Sequence, residues 1–213
     1  MKNILIIGAS SGIGLECVHA GLSAGYKVFA FARTVDKIEL EDKFLTKITG
    51  DALHESDLEN ALYDIDVVIQ VLGVPFNKKM ITGPITLFSK ATEILLPLMI
   101  TRDVKRLITV TGYGAGRSKD TIGFFQRIGF EIVFGRAYRD KDQQEKLILD
   151  SDLDWTIVRP GILTNGSKTP DYQILYKENE WKNGLVSRKN ISDYIVKSIN
   201  DKTSYKKDPV IIN

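Results

Sequence analysis

Cysteine is nearly absent from this chain. Its 213 residues hold one, Cys17, which excludes an internal disulfide and suits a reducing, cytoplasmic setting. Cys17 falls within an apolar helical stretch, where packing rather than reactivity is expected. Histidine is almost as scarce. His19 and His54 stand without neighbouring ligand or triad motifs, so neither a metal site nor a histidine-based mechanism is expected. Long apolar runs are missing too: none approaches the roughly 18–20 residues of a membrane span. No charged-then-apolar leader precedes the first strand, so no secretory signal is expected. An excess of charge of one sign is lacking, with 29 Lys and Arg against 27 Asp and Glu. A net charge of +2 gives no general attraction to nucleic acid or to a membrane, although local basic residues can still meet an anion. Repeats, low-complexity tracts and proline-rich linkers are absent as well. What remains is 43% hydrophobic and 26% charged, ordinary for a globular chain, and residues 1–213 are expected to form one domain.

The informative stretch comes first. Residues 3–7, Asn3-Ile4-Leu5-Ile6-Ile7, are a short, β-branched-rich apolar run of the kind that forms a buried parallel strand. Gly8, Gly12 and Gly14 follow in G-x-x-x-G-x-G spacing, and residues 15–24 continue as a helix. The first glycine permits the sharp turn, the second a close approach to a pyrophosphate, and the third helix-to-strand packing. A helix start offers free N–H groups and a positive dipole end to phosphate oxygens, with Ser10, Ser11 and Ile13 at the same place. Strand before and helix after is the context that makes this a dinucleotide-binding turn.

Apolar runs and helical segments then alternate. Strands are expected at 27–32, 44–49, 66–72, 105–111 and 154–159, with a short extended segment at 172–176 and a closing strand at 209–212. Helices are expected at 55–63, 84–100, 138–150 and 188–200, with partial helix at 35–43 and loops at 74–83 and 112–118. Each parallel pairing needs a crossover, so the pattern predicts an α/β fold: a doubly wound, mainly parallel sheet of about six or seven strands. Ligands in such sheets bind beyond the carboxyl ends of the strands.

The residues at those ends carry the candidate site. Where an NAD-selective site places a carboxylate after the second strand, this chain has Arg33-Thr34. Arg33 suits the extra 2′-phosphate of NADP, by charge-assisted bonds and stacking on adenine. Asp51-Ala52 follows the third strand; Asp51 either accepts from an adenine amino group or caps the next helix. Leu72-Gly73 ends the fourth strand, where a glycine admits the cofactor or simply turns the chain. Thr111, Gly112 and Tyr113 end the fifth, placing hydroxyls beside a nicotinamide and substrate or, alternatively, packing as ordinary strand-end residues. Lys141 and Glu145 form either an i,i+4 pair on a solvated helix face or, for Lys141, a ribose ligand beside a proton donor. Pro160-Gly161-Ile162 after the sixth strand offers backbone groups to a carboxamide.

Taken together, Gly8 to Gly14, Ala32-Arg33, Gly50-Asp51, Val71-Leu72-Gly73, Val110-Thr111-Gly112 and the run Asp152 to Gly161 resemble the atypical short-chain dehydrogenase/reductase superfamily. The resemblance is to its NAD(P)H-binding, NmrA-like group, which includes flavin/biliverdin-IXβ reductase, and it covers nearly the full length. It implies a Rossmann-like fold, an NADP(H) cofactor and Lys141 as a ligand of the nicotinamide ribose. Two departures stand out. The superfamily's Y-x-x-x-K pair is missing: Tyr138 precedes Lys141 by one residue too few, which turns the side chains about 100° from the usual relation. Gly112 stands where flavin/biliverdin-IXβ reductase-like proteins place a serine. The glycine spacing is also that of the Y-x-x-x-K members.

The expected function is an NADPH-dependent reductase of a small, planar or apolar acceptor. Thr111, Tyr113 and Lys141 would be its catalytic residues, with Tyr113 or solvent giving any proton and the aromatic segment 120–134 covering the pocket. The expected partner is a small-molecule substrate. The alternative is a non-catalytic NADP(H)-binding sensor or assembly factor.

Overall fold

Burial sorts the apolar runs into strands. The structure is a computed structural model describing residues 1–74, 85–121 and 124–213, with backbone alone at 124–133. Its strands are Asn3–Ile7 (β1), Lys27–Ala32 (β2), Leu45–Thr49 (β3), Val67–Gln70 (β4), Arg106–Val110 (β5), Asp154–Pro160 (β6), Ile162–Thr164 (β7), Gln173–Leu175 (β8), Leu185–Ser187 (β9) and Val210–Ile212 (β10). The α-helices are Gly12–Ser23 (α1), Glu55–Ala61 (α2), Leu87–Thr101 (α3), Phe124–Leu149 (α4) and Arg188–Ser198 (α5).

The main sheet runs β3-β2-β1-β4-β5-β6-β10-β8. All its pairings are parallel except β10 with β8. Every residue of β4 and β5 is buried, as a strand covered on both faces requires. The pleat divides β1 cleanly. Ile4 and Ile6 join Cys17 and Val18 of α1 and Ile191 and Ile195 of α5 on one face. Leu5 and Ile7 join Leu58 of α2, Leu95 of α3 and Ile148 of α4 on the other. Cys17 is fully buried, and burial pushes its thiol well above the usual range, so it packs as a small hydrophobe.

The expected doubly wound α/β fold is therefore present, with corrections in detail. The sheet has eight strands, because both short C-terminal segments join it. A separate two-stranded ribbon, β7 with β9, was not expected; three-residue strands leave no periodicity to read. The helix expected at 138–150 is the end of a longer one, α4, which starts at Phe124, while residues 35–43 contain only a short 3-10 turn, Val35–Lys37. Pro97 lies inside α3, which continues to Thr101. The expected loop at 74–83 lies outside the described residues after Val74. Among the described residues, no helix is long and apolar enough to cross a membrane.

Candidate cofactor and active site

The order β3-β2-β1-β4-β5-β6 reverses direction between β1 and β4, and a cleft of about 1030 Å³ opens beyond the carboxyl ends there. Its floor is the glycine turn. Gly8 takes a left-handed φ of 94°, and a β-carbon on it would stand 2.7 Å from the Val71 carbonyl oxygen. A β-carbon on Gly14 would run into the Gly8 carbonyl, so α1 lies directly against the turn. Ser11 is the N-cap of α1 but makes no side-chain capping bond, which leaves the first-turn amides facing the cleft. Gly8 and Ala9 both donate to the Phe31 carbonyl, at 2.9 and 3.2 Å, tying the turn to the end of β2.

Most of the residues expected at the cofactor line this cleft: Gly8, Ser10, Ser11, Gly12, Ile13, Arg33, Thr34, Asp51, Ala52, Leu72, Gly73, Thr111, Lys141 and Pro160. Gly14 lies behind them, in the packing of α1. Gly161 and Ile162 are not part of the lining; Gly161 lets β6 approach the backbone of Gly184, and Ile162 is exposed on the ribbon. Asp51 accepts from the Leu53 amide at 3.0 Å, a turn of its own rather than a cap on α2, whose N-cap is His54. Tyr113 is placed elsewhere. Its hydroxyl donates to the Thr121 carbonyl at 3.1 Å and accepts from the Thr121 hydroxyl at 3.0 Å, and its ring packs with Trp181, Val210 and Ile212. The chain turns at Gly112, which carries Tyr113 away from the cleft.

The charge of the lining is one-sided. Among the described residues, Arg33, Lys37, Lys141 and Arg188 face the cleft with Asp51 as the one carboxylate in its lining. A chain of net charge +2 thus gathers four cations around one cavity, which fits a ligand bearing several phosphates.

The inner end is built by α4. Lys141 donates to the Thr111 carbonyl, and its ammonium lies 5.0 Å from the Phe88 ring centroid and 5.3 Å from that of Tyr138. Desolvation lowers its pKa to about 8, with the Glu145 charge opposing. Tyr138 also lines the cleft, and burial with the negative Glu145 raises its pKa to about 12. Its hydroxyl lies 2.6 Å from where a β-carbon on Gly112 would sit. Asp140 accepts from the Phe88 amide at 2.8 Å and from the Ser89 hydroxyl, serving as the cap that Thr86 does not provide. That bond fixes the start of α3, and with it Phe88, against α4.

Glu145 does not form the surface pair with Lys141 that the spacing allowed. It is 1% exposed and accepts from Arg159 through Nε at 3.1 Å and Nη2 at 2.7 Å. The Thr111 hydroxyl donates to Glu145 at 2.6 Å. Arg159 also donates to the Asp208 carbonyl at 2.7 Å, and Asp208 pairs with Arg117 at 2.7 Å. Burial disfavours the Arg159 charge, yet its two carboxylate partners hold its pKa above the ordinary value. This buried chain of charges fixes the ends of β5 and β6 beneath the cleft.

Leu87, Phe88, Val110, Phe134, Ala137 and Leu163 give the cleft an apolar wall beside Lys141. Of these only Phe134 falls in the expected covering segment, whose residues 122–123 and side chains 124–133 lie outside the described ones. Sequence reasoning missed Lys37, Tyr138 and Arg188 as lining residues. Tyr138 was visible as a Y-x-x-K spacing; Arg188 was visible as a cation opening a helix, where the dipole disfavours it. No cluster of metal-ligating side chains is found among the described residues.

Comparison with known proteins agrees with this geometry. A family model described as NAD(P)H-binding matches residues 8–202. The chain is 26% identical over 218 residues to protein TIC 62, chloroplastic, of Oryza sativa subsp. japonica, a match covering 90% of this chain and 42% of that protein. The chain spans less than half the length of the curated relatives it matches. A short-chain dehydrogenase/reductase of Veillonella parvula solved in complex with NADP superposes with a TM-score of 0.83 at 17% identity, covering 100% of this chain and 94% of that one. ChuY, described as an anaerobillin reductase from Escherichia coli, superposes with a TM-score of 0.81 at 22% identity, covering 99% and 97%. At these identities the two solved structures bear on the fold alone.

Proposed function

Because the chain belongs to the NAD(P)H-binding family, we propose that it is an NADPH-dependent reductase acting on a planar, largely apolar acceptor. The observation that carries this reading is the cleft itself, with cations at its phosphate end and an apolar wall beside Lys141 and Tyr138 at its inner end. The glycine turn, with the open amides of α1, suits a pyrophosphate. Arg33 and Lys37 suit the 2′-phosphate that distinguishes NADPH from NADH. Lys141 suits the hydroxyls of the nicotinamide ribose, and the backbone at Pro160, which lines the cleft, suits its carboxamide.

When bound, the reduced nicotinamide supplies a hydride. The chain's own residues do the rest. The apolar wall holds a flat acceptor and excludes water from it. Tyr138 holds a proton at its phenolic oxygen and gives it to the acceptor atom that gains negative charge. Lys141, protonated below about pH 8, returns a proton toward Tyr138 and keeps local charge positive. Thr111 acts through position: its hydroxyl is committed to Glu145, and its carbonyl holds the Lys141 ammonium.

The test is NADPH oxidation against flavins, quinones and linear tetrapyrroles, the last included because ChuY is described as an anaerobillin reductase. Turnover with a planar acceptor, lowered in Tyr138→Phe without loss of NADPH affinity, is the expected result. Tight NADPH binding with no oxidation across the panel would overturn it and favour the second reading, an NADP(H)-responsive binding protein. What speaks for that reading is the missing Y-x-x-x-K pair, Tyr138 and Lys141 standing three residues apart.

A further inference from the structure

Among the described cations of the cleft, Arg188 has no role yet. It is the first residue of α5, whose N-terminal end meets that of α1 across the glycine turn. The Arg188 Nε lies 3.8 Å from the position a β-carbon on Gly12 would take. Its Nη1 donates to Asn165 Oδ1 at 2.7 Å, and no carboxylate lies within 4.0 Å of it among the described residues. The half-buried guanidinium is thus held by a neutral partner, with Nε on the cleft side.

This placement is poor for stability. A cation at the first position of a helix opposes the macrodipole, and Lys189 follows it immediately. A phosphate at the open amides of α1 would relieve that arrangement, since it would accept from the amides on one side and from the planar guanidinium on the other.

We propose that Arg188 is a clamp on the cofactor's pyrophosphate, closing over the glycine turn from the C-terminal part of the chain. The role rests on NAD(P)H occupying the cleft, and it is distinct from that of Arg33. Pyrophosphate is common to NADPH and NADH, so Arg188 governs affinity for both, whereas Arg33 governs the choice between them. Asn165 is the positioning residue that aims the guanidinium.

Calorimetric titration of NADPH and NADH into the wild type, Arg188→Ala, Arg188→Lys and Arg33→Ala separates these roles. Arg188→Ala is expected to weaken both cofactors by about tenfold or more with their ratio unchanged, and Arg188→Lys to restore part of the loss. The ligand-free melting temperature of Arg188→Ala is expected to equal or exceed that of the wild type. Loss of NADPH affinity alone would place Arg188 at the 2′-phosphate and overturn the clamp, as would affinities within twofold of wild type. A lowered ligand-free melting temperature in both Arg188 variants would make the residue structural and overturn it too. If the wild type binds neither cofactor, the reading of the cleft itself fails; if it binds and only the variants are silent, the clamp alone does.

Discussion

The hydroxyl of Tyr138 fills the space above Gly112 that a side chain there would need, 2.6 Å from the β-carbon position. Two apparent losses are therefore one exchange. The strand-end hydroxyl that a serine would contribute is absent, and a phenol from α4 enters the same volume. Any side chain at Gly112 must displace it. Gly112→Ala is expected to cost about 1–3 kcal/mol by overpacking and to lower kcat while NADPH affinity holds. In a Tyr138→Phe background the nearest ring atom is 3.3 Å away, so the same substitution should cost less. Urea denaturation of the four proteins measures the coupling; equal costs in both backgrounds would show that the two residues do not share that space.

Lys141 makes the site sensitive to pH in a direction that can be worked out. Its pKa falls from 10.5 to about 8 on folding, so between those values the unfolded chain binds the proton and the folded chain does not. The Lys141 contribution to stability is expected to rise with pH across that window, opposed from about pH 10 by tyrosines such as Tyr138 whose pKa folding raises, and the rise below pH 10 should be missing in Lys141→Met. Cofactor capture should run the other way, because the charged ammonium is the form that donates to ribose oxygens. The kcat/KM for NADPH is expected to decline with an apparent pKa near 8, and the inflection should vanish in Lys141→Met. An inflection that survives the substitution belongs to another group.

The Glu145–Arg159 pair supports the cleft from below without facing it. Both side chains are essentially inaccessible, and Arg159 links Glu145 to Asp208. Removing Glu145 takes one of the two carboxylates from the buried Arg159 and leaves it Asp208, which costs about 3 kcal/mol, the lower end for a broken buried pair. Glu145→Ala is therefore expected to lower the urea midpoint by that equivalent. Glu145→Gln, which keeps an acceptor for Thr111 and Arg159, should lose less. A loss in Glu145→Ala no greater than in an exposed Glu59→Ala control would show that the pair contributes nothing.

Much of the fold was legible because burial leaves a one-dimensional trace. β4 and β5 are covered on both faces and read as mostly apolar runs, interrupted by Gln70, Arg106 and Thr109, and the glycines after β1 mark a turn that only close backbone packing requires. The phosphate end of the cleft followed, since Ser10, Arg33 and Asp51 each sit within three residues of a strand's carboxyl end. What escaped depends on contacts between distant segments. Gly112 and Tyr138 lie on different elements, and nothing local says that one leaves room for the other. Tyr113 was misplaced because a strand-end position does not reveal which way the chain bends past it. Glu145 looked like half of a surface pair because its true partner, Arg159, is on the neighbouring strand. The ribbon of β7 and β9 escaped because strands so short are defined by pairing, not by pattern.

Arg33 offers the last test, since its position at the end of β2 makes cofactor choice a matter of a single charge. The residue is exposed and lines the cleft, as does Lys37 on the 3-10 turn that follows β2. Arg33→Ala is expected to weaken NADPH by about tenfold, the scale of one lost charge-assisted contact, and to leave NADH unchanged. Arg33→Asp should go further, because a carboxylate repels the 2′-phosphate and accepts from the 2′-hydroxyl of NADH. The expected outcome is an inverted preference, with Lys37→Ala shifting it by a smaller amount in the same direction. Fluorescence titration of the two reduced cofactors measures all three variants. If Arg33→Asp binds NADPH as well as the wild type does, the 2′-phosphate is not held at this end of β2.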